Sequence, residues 1–312
     1  MIHAFNADNV AQSAAVLNHQ QGAPMSTCSP SGEDRAKGHF LALVTALIAL
    51  ALATPLLGNA QTLRTGGTGA ALGTMRALGE AYKKIEPQFS LEIVPNLGSS
   101  GGLKALEQGA VHFAVISRPL KGDESAQGYA AYEYGRTPFV LATSRSDVSN
   151  LTLRQIADLY SARVAKWPDG TPVRLVLRPA NDADTPLFAS FSPAIKEALA
   201  EAMSRDGMIV AVTDQDSATE LGRIKGAIGT SSLALIVSEK RPLSTIAIDG
   251  VKPTAKALSD GSYPYFKSVY VVTKGTPSRE TARFLAFVRS PEGRRILTDL
   301  GHWTPPAGVA AR

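Results

Sequence analysis

The chain has 312 residues, 44% of them hydrophobic and 19% charged, which is enough to bury a sizeable core and argues against a disordered protein. Its 32 lysines and arginines exceed its 27 aspartates and glutamates without forming a block of like charge, so a small anion is a better candidate partner than nucleic acid. Cys28 is the only cysteine, and only His112 and His302 follow residue 60, so we expect no zinc or copper site and no cofactor after that residue.

The first 60 residues have the order of a secretory signal. Basic residues precede a charge-free apolar run within 40–57, and the small residues Gly58 and Ala60 are placed for cleavage. We therefore predict that 1–60 is an N-terminal extension plus signal peptide, with Met25 as an alternative start, and that the protein is periplasmic. An uncleaved membrane anchor is the alternative, since the run approaches the roughly 18 residues at which spanning becomes plausible.

Strands and helices alternate through the first part of the mature chain. Apolar periodicity predicts a strand at 63–65, a helix over 70–84, a strand at 91–95, a helix over 103–108 and a strand at 111–116. This β-α-β-α-β order requires a parallel sheet with right-handed crossovers. The turns that follow its strands then lie at one carboxyl edge, where open α/β sheets bind ligands.

The alternation continues to the end of the chain, so an α/β fold is predicted throughout. The further predicted strands are 137–143, 173–177, 208–212, 226–230 and 267–273, and the further predicted helices begin near 152 and near 185 and cover 217–225, 279–288 and 291–300.

The stretch 98–102 reads Gly-Ser-Ser-Gly-Gly and lies between a predicted strand and a predicted helix, so we interpret it as a tight turn. Glycines let the backbone approach a ligand closely, and two hydroxyls beside the free N–H groups at the positive end of a helix form an anion-sized nest. The glycines of 66–69 predict a second nest of the same kind. Ser117 and Arg118 end the strand at 111–116 on the same edge, so we expect them to contact the ligand too.

Two motifs permit other interpretations. Gly98-x-Ser100-x-Gly102 matches the nucleophile elbow of α/β-hydrolases, and His302 is the one histidine in the order that a triad needs, so a serine hydrolase using Ser100 is an alternative. The run 67–73 is similar to a dinucleotide fingerprint, but the strand before it is only a few residues long.

Arg178 ends the strand at 173–177 and comes just before the start of a helix. An arginine in this position can hold an oxyanion through two parallel hydrogen bonds. Its alternative role is a salt bridge to Asp182 or Asp184, and either an aspartate or Thr185 can cap the helix.

Several motifs together resemble the phosphate-type periplasmic substrate-binding proteins of ABC importers, which belong to the type 2 periplasmic-binding-protein-like superfamily. In order they are Gly-Gly-Thr-Gly at 66–69, Gly-Ser-Ser-Gly-Gly-Leu-Lys at 98–104, Ser-Arg-Pro-Leu at 117–120, Leu-Thr-Leu-Arg-Gln-Ile at 151–156, Lys-Trp-Pro-Asp-Gly at 166–170, Val-Leu-Arg-Pro at 176–179 and Phe-Val-Arg-Ser-Pro-Glu-Gly at 287–293. Each motif alone is weak, but their order and spacing are fairly specific, and the resemblance covers 61–312.

The resemblance implies two α/β lobes, each a mainly parallel sheet flanked by helices, joined by two hinge crossovers. Lobe 1 would comprise 61–138 and 247–312, and lobe 2 would comprise 139–246. It implies a non-enzymatic, monomeric receptor that clamps a small oxyanion, phosphate or phosphate-like, and delivers it to an ABC permease in the inner membrane. The ligand-binding residues so implied are Thr68, Gly69, Ala70, Ala71, Ser99, Ser100, Gly101, Ser117, Arg118, Arg178, Asp182, Asp184 and Thr185.

The chain departs from the family pattern at two places. Ser117 stands where the family often has an acidic residue, and Asp182-Ala183-Asp184 replaces a Ser-Gly-Thr that follows the arginine. A carboxylate within about 4 Å of bound phosphate costs on the order of a few kcal/mol at an effective dielectric near 20. Either the aspartates point away as helix caps, or the ligand is a protonated oxyanion or carries both charges. A two-lobe sensory or structural module with a non-phosphate ligand is therefore an alternative to a transport receptor.

Overall fold

A computed structural model describes residues 61–305, so the predicted signal peptide lies outside the described residues. The strands are β1 (Gln61–Gly67), β2 (Phe89–Val94), β3 (Phe113–Ile116), β4 (Tyr129–Thr143), β5 (Asn150–Leu151), β6 (Arg174–Leu177), β7 (Ile209–Val210), β8 (Ala227–Ser232), β9 (Ser244–Thr245), β10 (Ala247–Ile248) and β11 (Phe266–Lys274). The helices are α1 (Gly69–Lys83), α2 (Gly98–Glu107), α3 (Gly122–Ala126), α4 (Leu153–Tyr160), α5 (Asp184–Ala189), α6 (Pro193–Ser204), α7 (Asp214–Arg223), α8 (Leu233–Ser238), α9 (Ala255–Ser259), α10 (Arg279–Arg289) and α11 (Pro291–Asp299).

A nine-stranded sheet forms the centre of the described chain, in the order β2-β1-β3-β11-β4-β8-β6-β7, with β9 paired to β4. Strand β1 is parallel to β2 and β3, and β6 is parallel to β7 and β8. In the middle, β11 is antiparallel to β3 and β4, and β4 is antiparallel to β8. The predicted α/β class is confirmed, and so is the parallel arrangement of the first three strands.

Two glycines bring the carboxyl ends of β1 and β3 close to the start of α2. A Cβ on Gly67 would lie 1.8 Å from the carbonyl oxygen of Val115 in β3, and the φ of Gly67 is 145°. A Cβ on Gly102 would lie 2.8 Å from the Cα of Gly67. Since a side chain at either position would force these elements apart, the glycines are required for the close approach.

The long strand β4 joins the two parallel ends of the sheet. Its first part pairs with β11, and its last part pairs with β8 and β9. The helices pack their apolar sides on the sheet in two main clusters, one that contains Phe113 and Phe284 and one that contains Phe139 and Phe188. A strand that crosses between two cores is the element expected of a hinge, although the division into two lobes stays a prediction.

The packing of residues 247–263 does not follow the predicted lobe boundary at residue 246. The prediction assigns residues from 247 onward to lobe 1, but Ile248, Ala257 and Tyr263 are buried in the same cluster as Phe139. The Tyr263 hydroxyl also donates to the carbonyl oxygen of Phe139 at 2.9 Å. By packing, the chain therefore returns to the first core only where β11 begins.

Several elements differ from their predicted bounds. Helix α2 begins at Gly98, so the predicted turn at 98–102 is the first turn of the helix. Strand β4 begins at Tyr129, earlier than predicted, and α6 and α8 were not predicted. The start of α6 does carry a sequence signal, because Ser192 caps it by accepting the N–H of Ile195 and Pro193 occupies its first position.

The aromatic cluster under α1 and α10 offers a test of the first core. The Phe284 ring is fully buried and stacks on Phe89 with centroids 5.1 Å apart, and Tyr82 meets it edge-on at 5.6 Å. We expect Phe284→Ala to lower the free energy of unfolding by about 3 to 5 kcal/mol, measured by urea denaturation. Ile85→Ala is the control, because Ile85 is 60% exposed and its loss should change stability by less than about 0.5 kcal/mol. Equal losses in the two variants would contradict the assignment of this core.

Candidate functional site

A cleft of about 550 Å³ opens where β1, β3 and β6 end and α1, α2, α5 and α7 begin. One wall is built from 67–69, 96–100 and residues within 117–121, and the other from residues within 178–186 and from 212–215. The structure thus brings together both groups of predicted site residues. Ala70, Ala71, Gly101 and Thr185 are the predicted residues that do not line this cleft.

The first wall carries a cluster of three hydroxyls, formed by Thr68, Ser99 and Ser117. The Thr68 hydroxyl donates to Ser117 Oγ at 3.1 Å, and the Ser117 backbone N–H donates to Ser99 Oγ at 3.1 Å. These residues lie at the ends of β1 and β3 and in the first turn of α2. The residue before that turn, Leu97, has no side-chain oxygen to accept its N–H groups, so they remain available at the positive end of the helix dipole.

The predicted nest at the start of α1 already has partners within the protein. The N–H of Ala71 donates to the carbonyl oxygen of Thr68 at 3.1 Å, and the N–H of Ala70 bonds to the Asp214 carboxylate. Both alanines are fully buried. That these two N–H groups contact a ligand stays a prediction, whereas in the structure the Ala70 N–H ties α1 to Asp214 at the start of α7.

On the second wall, Arg178 has the alternative role that its sequence context allowed. It is buried, donates from one guanidinium nitrogen to the carbonyl oxygen of Ala211 at 2.7 Å, and donates from another to Asp182 Oδ2 at 2.9 Å. Asp182 also accepts the N–H of Asp184 at 2.9 Å through its other oxygen. Asp182 therefore both accepts the first N–H of α5 and forms an ion pair with Arg178.

Lys267 on β11 completes this wall and was not predicted as a site residue. Its ammonium contacts Asp184 Oδ1, and it donates to Asp214 Oδ1 at 3.1 Å. Lys267, Asp184 and Asp214 are all more than nine-tenths buried. We call Arg178, Asp182, Asp184, Asp214 and Lys267 the ion network.

Burial and ion pairing act against each other on the pKa values in the ion network. Burial raises the pKa of Asp184 to about 6, although Lys267 acts to lower it. Burial also acts to raise the pKa of Asp214, but Lys267 and Arg178 outweigh it and the pKa falls below its ordinary value. For Lys267, burial acts to lower the pKa, and the two carboxylates outweigh it, so the pKa is raised. The lysine therefore stays charged, and of Asp184 and Asp214 it is Asp184 whose carboxyl takes a proton more readily.

A sequence signal for Lys267 exists. In β11 the buried residues Val269 and Val271 alternate with more exposed ones, and Lys267 is in phase with the buried set. A lysine on the buried face of a strand needs a carboxylate partner, because an unpaired buried charge is too costly. The strand pattern alone could have identified Lys267 as an ion-pair residue, but not its partners.

The remaining predicted residues have local roles. Arg118 lines the cleft, but its guanidinium is held by both carboxylate oxygens of Glu124 at 2.6 and 2.7 Å, and this pair lowers the pKa of Glu124 to about 2. Ser100 is exposed at the cleft. The Thr185 hydroxyl donates to the carbonyl oxygen of Pro179 at 2.7 Å, so it supports the turn before α5.

The geometry of the site does not support the serine hydrolase or the dinucleotide-binding interpretation. His302 is fully buried, its Nε2 lies 3.0 Å from Thr74 Oγ1, and it does not line the cleft that Ser100 lines, so the two are not brought together as a dyad. Burial lowers the pKa of His302 to about 3. A Cβ on Gly73 would lie 2.3 Å from Ser238 Oγ, so this glycine serves the packing of α1 against α8.

Within 61–305, no group of three or more His, Cys, Asp or Glu side chains is arranged to hold a metal ion. None of the helices in this range has both the length and the apolar character needed to cross a membrane.

Residues 52–292 match a family model described as a PBP superfamily domain. This chain belongs to the PBP superfamily. A relative of this PBP-superfamily chain, the phosphate-binding protein PstS of Bacillus subtilis, is 23% identical over 253 residues, which cover 77% of this chain and 80% of the relative. The resemblance to phosphate-type periplasmic binding proteins is thereby confirmed.

Solved structures share the fold of this PBP-superfamily chain. A proposed phosphate ABC transporter substrate-binding protein from Clostridium perfringens, solved with bound phosphate, has a TM-score of 0.65 and 24% identity, with 78% of this chain and 100% of that chain covered. The periplasmic molybdate-binding protein of Azotobacter vinelandii has a TM-score of 0.57 and 13% identity, with 78% and 99% covered. Since these two proteins are named for different oxyanions, the shared fold does not by itself select the ligand.

Removing the Lys267 ammonium should destabilise the folded protein, because the Asp184 and Asp214 carboxylates would then be buried without their cation. We expect Lys267→Met to lower the free energy of unfolding by about 3 to 5 kcal/mol at pH 8, because it leaves buried charge without its cation. In the variant the folded carboxyls would bind protons more readily than the unfolded chain, so stability rises as the pH falls and the loss should be smaller at pH 5. Urea denaturation at both pH values measures this.

Lys256→Met is the matched control, because the Lys256 side chain is 89% exposed and pairs with Asp260 at the surface. It should change stability little at either pH. A Lys267→Met loss that is as small as the control's, or that grows on acidification, would contradict the ion network.

Proposed function

We propose that this protein is a periplasmic solute-binding receptor that captures a small oxyanion, phosphate or phosphate-like, in the cleft. The observation that carries the proposal is the hydroxyl cluster of Thr68, Ser99 and Ser117 at the start of α2, on the wall of the same cleft as Arg178. Neutral donors at a helix N-terminus and a guanidinium are groups that stabilise an oxyanion. The relative named as a phosphate-binding protein and the related fold solved with phosphate support this ligand class.

The hydroxyl cluster supplies donors whose hydrogens can turn. The Ser117 hydroxyl bonds to both Thr68 and Ser99, and each of the three hydroxyls can rotate its hydrogen toward an incoming oxygen without moving the backbone. The free N–H groups of the first turn of α2 add fixed donors beside them. The hydroxyl cluster and the start of α2 therefore bind an anion by hydrogen bonds and the helix dipole, without a full charge of their own.

The ion network answers the objection that Asp182 and Asp184 would repel an anion. Each carboxylate has a cation: Arg178 holds Asp182, and Lys267 holds Asp184. An incoming anion therefore meets carboxylates that are each paired with a cation, while the sharing of Lys267 between Asp184 and Asp214 leaves the network one negative charge in excess. The same pairing argues against a ligand with an ammonium group, since the carboxylates that would receive it are already occupied.

The partner of the receptor, in this proposal, is an ABC permease in the inner membrane, to which the loaded protein delivers its ligand as a monomer. The receptor works in the periplasm after export and performs no chemistry on the anion. Two lobes that close around the cleft would sequester the ligand, with β4 and β11 as the hinge strands. The named functions of the relatives support transport over a sensory or structural role.

Calorimetric titration with phosphate, sulfate, molybdate and small organic acids tests the proposal. We expect one of the inorganic anions to bind, and Ser99→Ala to weaken that binding by about 10- to 100-fold, as expected for loss of a hydrogen bond to a charged group. Ser190→Ala is the control, because Ser190 is exposed at the end of α5 and does not line the cleft. Absence of heat with every anion would overturn the proposed function, and equal affinities of the two variants would remove Ser99 from the site.

A further inference from the structure

The ion network carries one more negative than positive charge when all its members are ionised. Asp182, Asp184 and Asp214 contribute three carboxylates, and Arg178 and Lys267 contribute two cations. Four of the five residues line the cleft, and Lys267 lies directly behind Asp184 and Asp214. An oxyanion entering the cleft therefore adds to an existing excess of negative charge.

Two atoms of the network have no hydrogen-bond partner within the described part of the chain. They are Asp184 Oδ2 and Arg178 Nε, both buried, and they lie 3.9 Å apart. The other oxygen of Asp184 contacts Lys267. A buried acceptor and a buried donor left unpaired at a cleft wall are costly, and such atoms call for a partner that the protein itself does not supply.

We propose that capture of the oxyanion is coupled to the uptake of one proton by Asp184. The proton comes from solvent and is held on Oδ2, because Oδ1 is engaged by Lys267. With that proton the network is neutral, and Asp184 Oδ2–H becomes a second hydrogen-bond donor beside Arg178 Nε–H. No bond in the anion is broken. This inference rests on the proposed function and specifies how the same site accommodates the charge.

Asp184 is the member of the network that takes the proton, as a comparison of the groups around each carboxylate shows. Asp184 faces Lys267 on β11, Asp214 on α7, Asp182 before α5 and Arg178 after β6, so two anions and two cations surround it. Asp214 has Lys267, Arg178 and the N–H of Ala70 to stabilise its charge.

Asp182 has the Arg178 guanidinium and the N–H of Asp184, and it keeps a quarter of its side chain exposed. The raised pKa of Asp184, about 6, and the lowered pKa of Asp214 agree with placing the proton on Asp184 instead of Asp214. A bound anion would raise the pKa of Asp184 further, because it favours the neutral form of the carboxyl group.

Calorimetric titration of inorganic phosphate at pH 7, repeated in buffers of different ionisation heat, gives the number of protons taken up on binding. We compare wild type with Asp184→Asn and with Asp260→Asn, which removes one carboxylate from the surface outside the cleft. Any proton change on phosphate itself is common to all three proteins. We expect wild type and Asp260→Asn to take up about one proton more than Asp184→Asn.

The pH dependence of affinity gives a second readout. Because protonation is favoured by low pH, wild-type affinity relative to Asp184→Asn should rise as the pH falls from 8 toward 6. At pH 8 we expect Asp184→Asn, which mimics the neutral carboxyl, to bind phosphate about tenfold or more tightly than wild type. The carbon-13 shift of the Asp184 carboxyl in wild type should titrate at higher pH with phosphate bound than without it.

The outcomes separate this inference from the proposed function. Phosphate binding with equal proton uptake in wild type and Asp184→Asn, or with uptake lost equally in Asp260→Asn, overturns the coupling and leaves the receptor function intact. An Asp184 carboxyl that titrates at the same pH with and without phosphate also overturns it. If none of the anions gives binding heat with wild type or with either variant between pH 5 and pH 8, the proposed function and the coupling are both overturned.

Discussion

Lys267 extends from the central strand β11 into the space between α5 and α7, where its ammonium contacts one carboxyl oxygen of Asp184 and one of Asp214. Moving three charged groups out of water costs several kcal/mol for each ion, and only their mutual attraction and hydrogen bonds offset that cost. The second wall of the cleft can therefore form only when the strand and both helices are in place. Binding-site geometry and folding are coupled through this one lysine.

The two walls of the cleft attract an anion by different means. The first wall uses hydroxyls and helix N–H groups that are neutral and positioned by backbone, with Gly67 and Gly102 permitting the close contact of β1, β3 and α2. The second wall uses charges that the protein has already paired. A pair of walls with little free charge attracts an anion less strongly at long range than an arginine-rich site would. Recognition then depends on hydrogen-bond geometry after the ligand has entered.

Sequence patterns predicted the structural features that depend on neighbouring residues in the chain. The alternation of apolar strands and amphipathic helices predicted the α/β class and the parallel β1–β3 unit, and the small residues at 98–102 predicted a close backbone approach at the strand edge. The start of α2 was misplaced because glycine and serine are weak helix formers in a helix interior but are tolerated in a first turn. The role of Gly102 against Gly67 depends on a contact between separate elements, which no local pattern contains.

The ion network could not be predicted in the same way, because its pairs join residues far apart in the chain. Asp182 and Asp184 were identified as unusual beside Arg178, and both a salt bridge and helix capping were considered for them. The Asp184 and Asp214 carboxylates are paired instead of free because both contact Lys267. Lys267 lies 53 residues beyond Asp214 in the chain. From sequence, Asp182 and Asp184 beside Arg178 argue against phosphate as the ligand, and the structure adds Asp214 to the cleft as a third carboxylate. With the buried lysine included, the same residues form a wall that is one proton away from neutral, and an oxyanion becomes the ligand that such a wall can accept.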